Sequence, residues 1–243
     1  MKSFAYDLHI HSCLSPCADD DMTPANIAGM AHIKGLGIVA LTDHNSTANI
    51  PAFFECCRYF NILPIAGIEL TTAEDIHMVL LFRSQQDALS FGSFVKTKLL
   101  PVENKTEIFG NQLIVDSDDN VIDTENLLLI NATSLTVDDA ISEAKKYNAA
   151  VFPAHIDRTS NGMAAILGTI PSEYGFNLIE LNSRLNKEEC IEKYSIKNAK
   201  FLYNSDSHHL WDISEAVNRL SLEEEALGDE KALTNAFFKA LGL

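Results

Sequence analysis

The sequence predicts an α/β fold arranged as a β/α barrel, and three observations carry that expectation. Short apolar runs alternate with amphipathic stretches along most of the chain, the pattern of strands separated by helices. The length of 243 residues is one at which α/β barrels form a single unit. No glycine-rich loop follows any strand-like run, so an open nucleotide-binding sheet has no support. One domain over residues 1–243 is therefore expected, with parallel strands joined by right-handed crossovers.

The elements follow in order. FAYDLHIH is strand-like, and TPANIAGMAHIKGLG reads as a helix with Thr23 as N-cap, Pro24 in the first turn and a glycine stop. IVALT is a strand and PAFFECCRYF a helix; ILPIAGIEL and IHMVLLF are strands, followed by a helix near QQDALSFGSFVKTKL. A polar stretch near residues 101–135 interrupts the rhythm and reads as a small insertion, with a hairpin around Asp118, Asp119 and Asn120. The alternation resumes with a helix through VDDAISEAKKYN and strands at AAVFPAH, NLIELN and KFLYNSD. A strand at AVNRLSL and a helix through EKALTNAFFKALGL complete it.

Composition narrows the class. An apolar fraction of 47% and a mean hydropathy of +0.01 describe a globular chain with a sizeable core. Runs such as HMVLLF and NLLLI are too short to span a bilayer. Asp7, His9 and His11 interrupt any signal-peptide layout, so a soluble cytoplasmic protein is expected. Five cysteines, an odd number, suit a reducing compartment. Cys13 and Cys17 read as small, partly buried loop thiols, and Cys56 and Cys57 as helix packing. The net charge is −16, with 34 acidic against 18 basic side chains and no basic stripe. No stable nucleic-acid binding is expected from such a surface.

The chemistry lies in the polar residues that end the apolar runs. His9 and His11 sit at strand spacing and project side by side. Asp43 and His44 follow IVALT, Glu69 ends ILPIAGI, His77 opens the next strand and His155 ends AAVFPA. Glu180 ends NLI, Asp206 ends KFLYNS, and His208 lies two residues on. In an α/β barrel the C-terminal strand ends form one rim where active sites collect. His32 and His209 fit ordinary packing or loop roles. Histidine and carboxylate ligands suit Zn, Mn or Fe, and so many candidates imply two to three ions, an arrangement that serves phosphoryl hydrolysis.

DLHIHS, LTDHNS, GIEL, IHMVLL, PAHIDR and NSDSHH, in this order, resemble the PHP family, the polymerase and histidinol phosphatase domain. The resemblance implies a distorted seven-stranded, TIM-like β/α barrel and metal-dependent phosphoesterase activity. It implies that His9, His11, Glu69 and Asp206 hold one metal, and that Glu69 bridges to a second held by His77 and His155. It gives a third metal to His44, His208 and an acid of the first loop. That loop departs from the frequent H-x-H-S-x-x-S-D-G form, since Pro16 stands where the aspartate is usual. Asp19 is the expected ligand there, with Asp20 its competitor. Asp43 is expected to orient a ligand.

Arg158, three residues after His155, and Arg184, four after Glu180, suit phosphate or a surface ion pair. Trp211, the only tryptophan, suits packing somewhat better than stacking on a substrate ring. The expected function is hydrolysis of a small phosphorylated metabolite or short nucleotide through a metal-activated water, with no G-x-S-x-G nucleophile elbow. The alternatives are a non-catalytic metal-binding module and a single-strand nuclease.

Overall fold

The computed structural model describes residues 1–243. β1 (Lys2–Asp7), α1 (Pro24–Ile33), β2 (Ile38–Leu41), α2 (Ile50–Tyr59), β3 (Leu63–Thr71), β4 (His77–Phe82) and α3 (Gln85–Lys96) come first. The insertion holds α4 (Thr106–Phe109) and the hairpin of β5 (Leu113–Val115) with β6 (Val121–Thr124). Then come α5 (Val137–Lys146), β7 (Ala150–Pro153), α6 (Met163–Leu167), β8 (Leu178–Leu181) and α7 (Lys187–Tyr194). β9 (Lys200–Tyr203), β10 (Arg219–Leu222) and α8 (Glu230–Leu241) close the series.

Local chemistry sets the boundaries. The Thr23 side chain accepts from Asn26 N ahead of Pro24, Ser84 caps α3, and Thr136 with Asp139 forms a full capping box on α5. The hairpin turns where Asp119 adopts φ 64° and Asp116 Oδ1 accepts from Asp118 N and Asn120 N. The sequence reading misses α6 and α7 for a physical reason. MAAIL is too short to show a period, and KEECIEKY buries only Cys190, so neither presents an apolar stripe.

The ladder departs from the parallel strand pairing expected of the distorted β/α barrel. One curled sheet runs β10-β1-β2-β3-β4-β7, and β8–β9 form a separate pair. β1, β2 and β3 are parallel, as are β8 and β9, whereas β3–β4, β4–β7 and β1–β10 are antiparallel. Only a short turn separates β3 from β4, too little chain for a helical crossover. The pair meets the curled sheet through single backbone hydrogen bonds, Ile156 N to Glu180 O and His11 N to Ser207 O, both 3.0 Å. β10 takes the edge of β1 that a seventh parallel strand would need along its length.

Two apolar layers flank the sheet. Val39, Leu41, Ile68, Leu70, Met78 and Leu80 pack outward with residues of α1, α2, α3 and α5. Ile38, Ala40, Val79, Leu81, Leu178 and Leu202 face inward, where Phe237, Phe238 and Leu241 of α8 join them. The period of two decides which polar residues share the interior. Glu69 lies between outward Ile68 and Leu70, His77 is in phase with Val79 and Leu81, and Glu180 is in phase with Leu178. Past the apolar interior, the same face continues into a polar layer.

Candidate metal centre

That polar layer brings strand ends from around the sheet to one place. His9, His11, Glu69 and Asp206 form one buried group of candidate ligand atoms within 4.8 Å of one another. His44, Glu69 and His77 form a second, and His11, His44 and His208 a third. Glu69 is central. Its Oε1 lies 2.9 Å from His77 Nδ1, 3.2 Å from His155 Nε2 and 3.3 Å from His9 Nε2. Its Oε2 lies 3.0 Å from His44 Nδ1 and 3.3 Å from His11 Nε2. Asp206 Oδ1 is 3.1 Å from His11 Nε2 and 3.3 Å from His9 Nε2. His155 and Asp206 hold φ 27° and 50°, a left-handed backbone that non-glycine residues keep only where the surroundings enforce it.

Acceptors outside the cluster orient the imidazoles. His9 Nδ1–H donates to Glu180 Oε1 and Oε2 at 2.9 and 3.1 Å. His11 Nδ1–H donates to Ser15 Oγ at 3.1 Å, and that hydroxyl donates to Asp43 Oδ1 at 2.8 Å. His208 Nδ1–H donates to the Asp206 carbonyl at 2.9 Å. Each arrangement puts the proton on Nδ1 and leaves the Nε2 lone pair for the interior, as metal-ligating histidines require.

The interior does not close as a hydrogen-bond network. His9 Nε2 and His11 Nε2 are 3.2 Å apart while both also face carboxylates, and one proton cannot serve all these contacts. His44 Nδ1 and Glu69 Oε2, though 3.0 Å apart, are not aligned for a hydrogen bond, and His155 Nδ1 is buried with no partner at all, a costly arrangement for polar atoms. A divalent cation satisfies converging lone pairs that protons cannot, so the donor set fits a metal.

Electrostatics agree. Burial alone would lower His9, but Glu180, Asp206 and Glu69 raise it well above the ordinary histidine value. His11 is depressed by burial yet raised by Asp206 and Glu69 to about 9. His44 falls to about 4 through burial, and His208 to about 3 through burial and the His11 charge. Burial opposes ionisation of Glu69, but His77, His9 and His44 hold it well below the carboxylate range. The carboxylates are anions that call for positive charge.

The remaining expected residues divide. Asp43 accepts from Ser12 N, Ser12 Oγ and Ser15 Oγ at 2.6, 2.7 and 2.8 Å, so it fixes the loop that carries His11. Arg158 Nη1 lies 2.6 Å from Asp206 Oδ2 with the side chain 41% exposed, at the mouth of the cluster. Asp19 is outside the three groups, because its carboxylate accepts from His209 Nδ1 at 2.7 Å. Arg184 makes its contacts elsewhere. It stacks 4.1 Å over Tyr203 and donates to Asn218, with no contact to a candidate ligand. Trp211 is 68% exposed and stacked on His209 rather than packed. Glu180 ends a strand like the ligand candidates, but its tie to His9 Nδ1 shows only once β1 and β8 are side by side.

A profile of the PHP domain matches residues 7–209. The chain belongs to the PHP domain family. Among curated proteins, this PHP chain is 32% identical over 77 residues to a 5'-3' exoribonuclease of Haemophilus influenzae, 30% of this chain and 27% of that one. It superposes on the lesion-specific endonuclease PfuEndoQ from Pyrococcus furiosus with a TM-score of 0.68 at 18% identity. The match covers 100% of this chain and 56% of that one, so the PHP chain spans little more than half of that protein. A structure assigned as a metal-dependent phosphoesterase of Bifidobacterium adolescentis gives a TM-score of 0.58 at 17% identity, over 96% of both chains. At these identities the superpositions establish the fold. No helix is long and apolar enough to cross a membrane.

Proposed function

We propose that this PHP chain is a metal-dependent phosphoesterase whose substrate is a small phosphorylated metabolite or a short nucleotide. The observation that carries the reading is Glu69, whose two oxygens face five imidazoles. His9, His11, Glu69 and Asp206 would hold one ion, His77 and His155 a second shared through Glu69, and His44 and His208 a third. Such ions supply Lewis acidity at a phosphoryl oxygen and make water acidic enough to serve as nucleophile. Glu180 and the Asp43–Ser15 relay hold the imidazoles in their ligating tautomer. Arg158 offers its remaining guanidinium donors to phosphate oxygens at the mouth.

A nuclease reading is favoured by one observation, the similarity of the chain to a 5'-3' exoribonuclease and a lesion-specific endonuclease. The net charge of −16 argues for the smaller substrate, because a long polyanion needs several cationic contacts along its backbone. Rates on a nucleoside monophosphate, a dinucleotide and an oligonucleotide, single- and double-stranded, decide between them. Faster turnover of the two small substrates is expected. An oligonucleotide preference of about tenfold or more would replace this reading with the nuclease.

A further inference from the structure

Arg184 leaves the metal ligands for a different place in the fold. No ladder joins β9 to β10, and the gap between their open edges holds a cavity of about 440 Å³. Arg184, Lys200, Arg219, Tyr203 and Ser221 line it, together with buried Tyr6. Each cation is pinned by neutral groups. Arg184 lies over the Tyr203 ring at 4.1 Å and donates Nη2 to Asn218 Oδ1 at 2.5 Å. Lys200 Nζ donates to Ala240 O at 2.7 Å. Arg219 donates Nε to Ser3 Oγ at 2.8 Å and Nη2 to Ser3 O at 3.0 Å.

The ion pairs of the chain's lysines and arginines involve Lys34, Arg58, Lys96, Lys146, Arg158 and Lys239. None includes the three cations of the gap, although the chain carries 34 acidic side chains. Burial holds the Lys200 ammonium below its ordinary value, with no carboxylate offsetting it. Three solvent-exposed like charges thus line one open hollow with no ion pair among them, each held by a neutral partner yet retaining free N–H donors. Fixed forks of N–H donors match the oxygens of phosphate. Phe201, Leu220 and the Tyr203 ring supply apolar wall for an organic part, and the volume suits a ligand of nucleotide size.

We propose that the β9–β10 gap is a second binding site, separate from the metal centre, for a small metabolite bearing two phosphate groups. The probe is inorganic pyrophosphate, titrated calorimetrically into metal-loaded and chelator-treated protein. The chelator-treated chain should keep a pyrophosphate site, and Arg184→Gln and Lys200→Gln should each weaken it by about tenfold with metal content unchanged. Both residues are solvent-exposed, and either variant alone decides the matter if the other fails to fold. Absence of binding to the chelator-treated chain, or unchanged affinity in the variants, overturns the site. Variants that lose oligonucleotide binding but keep pyrophosphate binding make the gap a nucleic-acid backbone track, which overturns the small ligand.

Discussion

Glu180 grips His9 from outside the ligand cluster: both carboxylate oxygens accept from His9 Nδ1, at 2.9 and 3.1 Å, and both side chains are fully buried. The same carboxylate accepts from His155 N at 3.1 Å and from Asn204 Nδ2 at 2.7 Å. It therefore ties β1, β7 and the end of β9 to β8 at one point, and it fixes which nitrogen of His9 faces the metal. Glu180→Gln puts an amide N–H where an acceptor is needed. Metal affinity should fall about 10- to 100-fold by chelator competition, with the far-ultraviolet circular dichroism unchanged. Wild-type affinity in the variant would show that His9 is oriented by something else.

How much of this was legible in the sequence depends on what each residue needs. His9, His11, Glu69 and Asp206 announce themselves because strand ends converge whenever strands curl into one sheet, whatever the pairing details. The antiparallel entry of β4 and the capture of the β1 edge by β10 were not legible, since ladder partners are chosen across the fold. The direction of Arg184 is set by Tyr203 and Asn218, which are distant in sequence and so invisible to spacing. Asp19 shows the same limit, with its fate decided by His209.

Glu69 bears on every imidazole of the proposed first and second sites, so its loss should cost more than that of Glu180. Glu69→Gln removes the central anion and leaves His9, His11, His44 and His77 around a neutral amide. Hydrolytic activity should drop by more than about a hundredfold, with metal content falling in parallel, a larger effect than the loss of an outer partner. Full activity in Glu69→Gln would remove the bridging role.

Metal content itself is a direct measurement. Three overlapping donor groups lead to an expectation of about two to three divalent ions per chain after purification without chelator. Elemental analysis giving under one equivalent after reconstitution with Zn, Mn or Fe would rule out a multinuclear centre.

The chelator-treated chain should have an unusual pH dependence of stability. His9 and His11 have raised folded-state values, His11 to about 9, against an unfolded value of about 6.5. The native state therefore holds more protons between these limits, and stability falls as pH rises through that window. His44 and His208 are lowered, to about 4 and about 3, so below about 6.5 the unfolded state binds more protons and stability falls again toward acid. Melting temperature should peak near neutrality without metal, and metal loading should abolish the alkaline decline. A metal-free melting temperature that rises from pH 7 to 9 would contradict the assigned charges.

Trp211 ties the substrate question to a clean optical signal. It is the only tryptophan, 68% exposed, and its ring lies parallel to His209 at 5.1 Å and 1°. Asp19 holds His209 in turn at 2.7 Å, and His209 directly follows the candidate ligand His208. One face of the indole lies parallel to the imidazole, and the exposed remainder is open to a planar group. Stacking of a base on such a face contributes about 1–3 kcal/mol. A nucleoside monophosphate should quench the emission, and glycerol phosphate should not. Trp211→Ala should raise KM for the nucleotide about tenfold, the low end of that stacking range, while leaving glycerol phosphate hydrolysis unchanged. Equal losses on both substrates, or no quenching by the nucleotide, would mean that the indole does not meet the base and that selectivity for ring-bearing substrates, if present, arises elsewhere on the rim.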